Sequence, residues 1–323
     1  GILPGSKTPR FVTSDDVVRL IGSADHRIQA YNFRVCMTND PQNLIPFPKP
    51  PGYDAERYEL AARWIDTLAD PMKVFRKFDM VTPTKTDTNN HGAFSTDYIG
   101  GSWEWPDADY ERREAIFQEH VRYQQGLHYF LANDPRVRDE VRREYSKWGL
   151  ASDEFADTGG WPHQLYVREG RRMIGDYVVT EQDCLSKHVA EDPVGMGAYN
   201  MDSHNCERFV VDGLVKNEGD VQVPLPKPYG ISLRAILPPT GSCPNLTVPV
   251  AVSASHIAFG SVRMEPVFMI LAESAATVAA LSIDSQAPVQ ALRYEKLRPI
   301  LEQRGQVLSS DTANIAGEAN PSG

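Results

Sequence analysis

The sequence predicts a mixed fold, α+β with an α/β portion towards the C-terminus, and three observations predict it. Apolar residues recur at helical spacing between positions 54 and 148. Short β-type runs separated by Gly, Asp and Pro follow between 160 and 238. Residues 246–283 then read as a single strand–loop–helix unit.

Taken in order, residues 1–24 are a Pro- and Gly-punctuated lead-in. Arg27 to Met37 alternates as a strand, and the five prolines between Pro41 and Gly52 demand extended loop. Asp54 or Ala55 opens a helix through Leu68, striped by Leu60, Ala61, Trp64, Ile65 and Leu68, which Asp70-Pro71 ends. Residues 82–106 read as a long loop without helix or strand. Its aromatics argue for order, and Asn89, Asn90, His91 and Asp97 beside Tyr98 and Trp103 suit recognition of hydroxyl groups in a substrate pocket, the alternative being a structural loop that packs its aromatics. Helices are predicted over Asp107 to Asn133 and Pro135 to Trp148, with His120 and His128 as packing or surface residues. Strands are predicted over Gln164 to Glu169, Ile174 to Thr180, Val194 to Asn200, Glu207 to Val211, Val221 to Val223 and Ile231 to Leu237.

The 246–283 unit is central. Val248 to Val252 reads as a strand, Ser253 to Glu265 as a polar loop, and Pro266 opens a helix so apolar that it is expected to be buried. Such a helix start aims N–H groups and a positive dipole end at an anion or an electron-rich edge. A plain α/β crossover is the alternative. Tyr294 to Arg304 forms the last helix, and a Ser-, Asn- and Gly-rich tail follows from Ser309.

Composition narrows the function classes. A hydrophobic share of 41% and a charged share of 24% are those of a globular chain able to bury a core. A net charge of −10 disfavours nucleic acid and anionic membrane as partners. No membrane span is expected, because Glu273 interrupts the longest apolar run. Cys36, Cys184, Cys206 and Cys243 include no C-x-x-C, so neither a zinc site nor a disulfide framework is predicted, and no metal is called. Nor is a G-x-G-x-x-G turn found. Gly195-Met-Gly197 lacks the third glycine and leads into polar Met201-Asp202-Ser203-His204-Asn205.

The segments RIQAYNFRVCMTNDP, TNNHGAFSTDYIGGSWEWP, DTGGWPHQLYVREGRRMIGDYV, AYNMDSHNCERFV, NEGDVQVP and SASHIAFGSVRMEPVFMI resemble a bacterial family of FAD-dependent oxidoreductases with a two-part, glutathione-reductase-like FAD domain. Members are sometimes labelled xanthan lyase. The resemblance implies FAD as cofactor and reads this chain as the C-terminal half of such an enzyme. The fold would then be a helical and antiparallel-sheet substrate domain, with helices over 54–148 and the sheet over 160–238. To it is added the C-terminal strand–loop–helix portion of a Rossmann-like FAD domain whose N-terminal part is missing. The divisions are a lead-in at 1–24, the substrate domain at 25–238, the FAD-binding portion at 239–308 and a flexible tail at 309–323. The missing half, or a second chain carrying it, is the implied partner.

On this resemblance Ser255, Gly260, Ser261, Arg263, Glu265 and Pro266 are expected to face the flavin. His256 and His204 are candidate bases, with His91 third, since their ordinary pKa values lie near neutrality. Asn89, Asn90, Asp97, Tyr98, Trp103, Arg171, Tyr199, Asn200 and Asp202 are the candidate substrate contacts. Arg168 and Arg172 sit beside them, and Arg172 is expected to pair with a carboxylate. The reaction expected is oxidation of a secondary alcohol on a sugar or polyol. The alternatives are a cofactor-free polysaccharide lyase or glycoside hydrolase, and a non-catalytic carbohydrate-binding protein.

Overall fold

A computed structural model describes residues 25–211 and 213–310. The lead-in expected at 1–24 and the tail from 311 lie outside them. The chain divides into two compact units, one of residues 1–168 with 204–220, the other of 169–203 with 221–323. The division therefore does not fall at 238/239. Strand pairing explains why: residues 193–203 pair with residues 221–232 inside the second unit, while 207–218 closes as a hairpin within the first.

In chain order the strands are β1 Val35–Thr38, β2 Leu44–Ile45, β3 Phe78–Met80, β4 Lys85–Thr88, β5 Gly149–Ala151, β6 Pro193–Gly197, β7 Met201–Ser203, β8 Glu207–Val211, β9 Leu214–Glu218, β10 Val221–Val223 and β11 Tyr229–Ser232. The helices are α1 Glu59–Thr67, α2 Tyr110–Asn133, α3 Asp139–Tyr145, α4 Glu181–Cys184, α5 His256–Val262, α6 Glu265–Ser285 and α7 Tyr294–Gln303.

The first unit holds an antiparallel five-stranded sheet of order β2-β5-β1-β4-β3 and the separate hairpin β8–β9. Asp109 starts α2 by accepting the Arg112 N–H, and the stripe Ile116, His120, Tyr123, Leu127, Phe130 turns inward. Polar members of that face are matched individually. Gln124 bonds both the N–H and the carbonyl of Phe33, standing in for a neighbouring strand. His128 meets the Tyr145 hydroxyl at 2.8 Å and stacks on Phe47. Both helical histidines are thus packing residues. The core around them is aromatic, with Tyr31, Phe33, Tyr58 and Tyr123 fully buried, each contributing roughly 1.5–3 kcal/mol through burial.

Several expectations change. The 82–106 loop contains β4. Its remainder is held by main-chain and ring contacts: the Tyr98 N–H reaches Tyr31 O, and the Tyr98 ring stacks on Tyr123 at 4.5 Å. Runs 164–169 and 174–180 contribute only single bridges, at Tyr166 and Val179. The 27–37 strand shrinks to β1 plus a bridge at Asn32. Residues 248–252 form no strand and bend at 249–251, where Pro249 has no N–H to give a ladder. Residues 233–235 wind into a 3-10 turn after β11.

The second unit surrounds Val194, Met201, Ile231, Ile236, Val252, Leu271 and Leu297. Its 253–265 segment is α5 and not a loop: the Ser255 side chain accepts from the Ala258 N–H and caps it. Gly260 and Ser261 lower helix propensity and hide this helix from a pattern reading. They are there for packing, since a Cβ on Gly260 would sit 2.7 Å from Asp202 O in β7. Helix α6 has Pro266 in its first turn, as expected, yet it is not buried all round. Val267, Leu271, Ser274, Ala275 and Val278 face the core, while Met269 and Ile283 stand about three-quarters exposed at 73% and 75%. By length and composition α6 could cross a membrane, and among the described residues it is the single helix that passes that test. A core helix rich in alanine passes it as well.

Candidate functional site

Each unit carries a histidine held by a buried carboxylate. In the first unit, His204 follows directly after β7, and its Nδ1 lies 2.7 Å from Asp97 Oδ2. Asp97 is 2% exposed, and the Arg168 guanidinium stands 3.1 Å from its other oxygen. Burial alone would raise the Asp97 carboxyl. The Arg168 and His204 charges more than reverse that and hold it below the usual carboxylate range. Arg168 also donates to Ala30 O at 2.7 Å, Asn32 Oδ1 at 2.8 Å and Asn89 Oδ1 at 3.3 Å, so the whole cluster is tied to the strand-like 29–33 segment. Ser102 meets His120 at 3.3 Å close by.

In the second unit, His256 is the first residue of α5. Its Nδ1 lies 2.7 Å from Glu169 Oε1 and its Nε2 3.2 Å from Ser203 Oγ. Arg172 donates to the same Glu169 oxygen at 2.7 Å and to Ala254 O at 2.8 Å. Burial pushes Glu169 upward, but His256 and Arg172 outweigh it and keep the carboxyl below its ordinary value. An ionised Glu169 accepts a hydrogen bond from Nδ1–H and thereby favours the tautomer in which Nε2 carries the free lone pair. The His256 side chain is 40% exposed against 12% for His204, so the second unit's histidine is the more accessible.

The remaining expected residues fall into distinct places. Asn89 and His91 line a pocket of the first unit. Asn90 is half-buried, and its N–H donates to Asn89 Oδ1. Tyr98 is stacked, and the Trp103 indole N–H donates to Cys206 O. Those two rings therefore serve as packing. Arg171, Tyr199 and Asn200 are exposed. Asp202 is buried, with Arg263 at 3.1 Å and Gln222 also bonded to it. Arg263 is thus neutralised inside its own unit, as Ser261 is bonded to Tyr199 O and the Tyr229 hydroxyl. Glu265 and Pro266 lie exposed at the start of α6. Glu169 and Ser203 were not singled out as site residues. They stand 87 and 53 positions from His256, and no sequence spacing signals so distant a pair.

A family model described as FAD dependent oxidoreductase matches residues 5–301. The chain belongs to the FAD dependent oxidoreductase family. It is an FAD-dependent oxidoreductase, and its cofactor is FAD. No curated protein and no solved structure matches this oxidoreductase.

The chemistry of the donor set fits the reacting end of the cofactor. A half-exposed histidine fixed on a buried carboxylate has the chemistry of a proton acceptor, and the buried Arg263 Nε is left without a hydrogen bond among the described residues of the same unit. The nucleotide end is a different matter. Every pair of named strands is antiparallel, and no glycine-rich turn joins a parallel strand to a helix among the described residues. Gly195 and Gly197 lie in β6, where added side chains would meet Ile270 and Tyr229. They are packing glycines of the oxidoreductase, not a pyrophosphate cradle.

Proposed function

We propose that the protein oxidises a secondary alcohol of a sugar or polyol, with His256 taking the hydroxyl proton. The observation that carries this reading is the Glu169–His256 pair, 2.7 Å apart, which leaves Nε2 as the basic nitrogen on a side chain 40% exposed. Bound FAD supplies the hydride acceptor for such an oxidation.

The chain's own residues do the rest. Glu169 holds the ring and stabilises the imidazolium that forms when the proton arrives. Arg172 shares the Glu169 oxygen and tempers its charge, so that the proton stays on the ring and does not pass to the carboxylate. Ser203 Oγ occupies Nε2 at 3.2 Å before substrate arrives, and a substrate hydroxyl replaces it there. Glu265 and Pro266, exposed at the start of α6, are the expected flavin contacts.

The test is His256→Asn in FAD-loaded enzyme, mixed with a panel of sugars and polyols while flavin bleaching is followed. FAD content should be unchanged and reduction slowed about 10²–10⁴-fold, the usual worth of a general base. Unaltered reduction in that variant, with loss in His204→Asn, would assign the proton to the Asp97-held histidine instead. Unaltered reduction in both variants would remove histidine base catalysis from the reading. No bleaching with any sugar or polyol would remove the substrate class.

A further inference from the structure

The first unit has a pocket that the Asp97–His204 pair does not line. Ala61, Trp64 and Ile65 of α1, Phe78 of β3, and Leu127 and Leu131 of α2 form its apolar walls. Its empty space is about 430 Å³ with the open solvent at its mouth included. Segment 89–96 closes one side and is pressed firmly into place. Gly92 has φ +89°, and a Cβ there would lie 2.1 Å from the Trp64 ring, so the backbone itself packs on the indole.

Two polar groups of this segment keep hydrogen-bonding capacity. Asn89 Oδ1 already accepts from Asn32, Arg168 and the Asn90 N–H, whereas its Nδ2 has no partner among the described residues. What Asn89 offers a ligand is therefore a donor. His91 lines the pocket and makes no hydrogen bond among the described residues. Burial first, then the Arg76 and Lys77 charges, hold its imidazole below the ordinary value, so at neutral pH it presents a neutral ring with one N–H. Lys77 is shared with Asp79 at 3.4 Å; Arg76 has no ion pair among the described residues.

Apolar walls, two donors and a nearby cation specify the occupant. A sugar would lose its hydrogen bonds to water against Ile65, Phe78, Leu127 and Leu131 without replacement. We propose that this pocket binds a small apolar carboxylate, an aryl or branched-alkyl acid. Its hydrocarbon part lies among the α1 and α2 side chains, and its carboxylate accepts from Asn89 Nδ2 and His91 under the charge of Arg76. The site is independent of the alcohol oxidation, since it uses neither His256 nor Glu169.

Phenylacetate titrated into the full chain, read by calorimetry and by tryptophan fluorescence through Trp64, tests the assignment, with benzyl alcohol as the neutral isostere. Saturable one-to-one binding of phenylacetate is expected, at least about tenfold tighter than benzyl alcohol, as hydrogen bonds to a charged group warrant. His91→Ala should weaken it about tenfold or more, and Ala61→Phe should abolish it by filling the space. Circular dichroism checks that each variant folds, and His91→Ala, on the half-buried rim, keeps the test sharp if Ala61→Phe does not. Absence of saturable phenylacetate binding to the folded chain overturns the proposal. So does benzyl alcohol binding as tightly, or affinity unmoved by His91→Ala.

Discussion

Asp97→Asn should destabilise the first unit by about 3–5 kcal/mol, the cost of leaving one partner of a buried ion pair alone. The magnitude follows from the surroundings. The Arg168 side chain is 1% exposed and the Asp97 side chain 2%, so water cannot take the place of the Asp97 charge beside the guanidinium. Arg168 keeps neutral acceptors, among them Ala30 O, Asn32 Oδ1 and Asn89 Oδ1, which puts the expected value at the lower end of that range. The assay is urea unfolding followed by tryptophan fluorescence. All five tryptophans (Trp64, Trp103, Trp105, Trp148 and Trp161) lie in the first unit, so the signal reports that unit alone. Arg168→Met with Asp97→Asn completes a double-mutant cycle, and the double variant should lose less than the sum of the two single losses. A loss below about 1 kcal/mol for Asp97→Asn, the level of an exposed pair, would refute the claim that this pair organises the unit.

Two further outcomes are expected from the same unit. Burial pushes His120 down to about 4 and His128 down to about 3, below the unfolded value of about 6.5. The unfolded chain therefore binds more protons between those values, and stability present above about pH 6.5 is lost as the pH falls. Asp97, also depressed, adds its own loss further into acid. The urea midpoint read by tryptophan fluorescence should drop between pH 7 and pH 5, and an unchanged midpoint would show that neither imidazole is held neutral by burial. Gly92→Ala should cost about 1–3 kcal/mol, because it strains a positive φ and drives a methyl into Trp64. A variant as stable as the parent in the same assay would mean that segment 89–96 is not packed on the indole.

What could be read from the sequence is what depends on neighbours in the chain. The end of α2 at Asn133, the Pro266 turn of α6 and the bounds of β8 follow from prolines and alternation, all of them local. Strand assignments failed where a run had the composition of a strand but no ladder to join. Residues 164–169 and 174–180 each found a single bridge, and only tertiary placement decides that. Helix α5 was missed for the opposite reason. Gly260 looks like a loop residue until β7 is seen lying against it.

The candidate site divides in the same way. Histidine and arginine were recognisable as chemistry by residue type, so His256, His204 and Arg172 could be named from the chain. The groups that give those histidines a defined proton could not. Glu169 fixes His256 from 87 positions away and Asp97 fixes His204 from 107, and neither separation leaves a periodic trace. Asp97 was legible as a polar group in an aromatic loop, and it was read as a contact for substrate hydroxyls. Folding instead turns it inward, between Arg168 and His204, where it carries charge that no solvent shares. The aromatic side chains around it follow the same rule. Tyr98 and Trp103 have the composition of a sugar platform, but their ring faces and N–H groups are taken up by Tyr123 and Cys206. Trp64, unremarked in the sequence except as a helix-stripe residue, is the indole that lines a pocket. Residue type announces which chemistry is available, and only burial decides which copy of that type a ligand can reach.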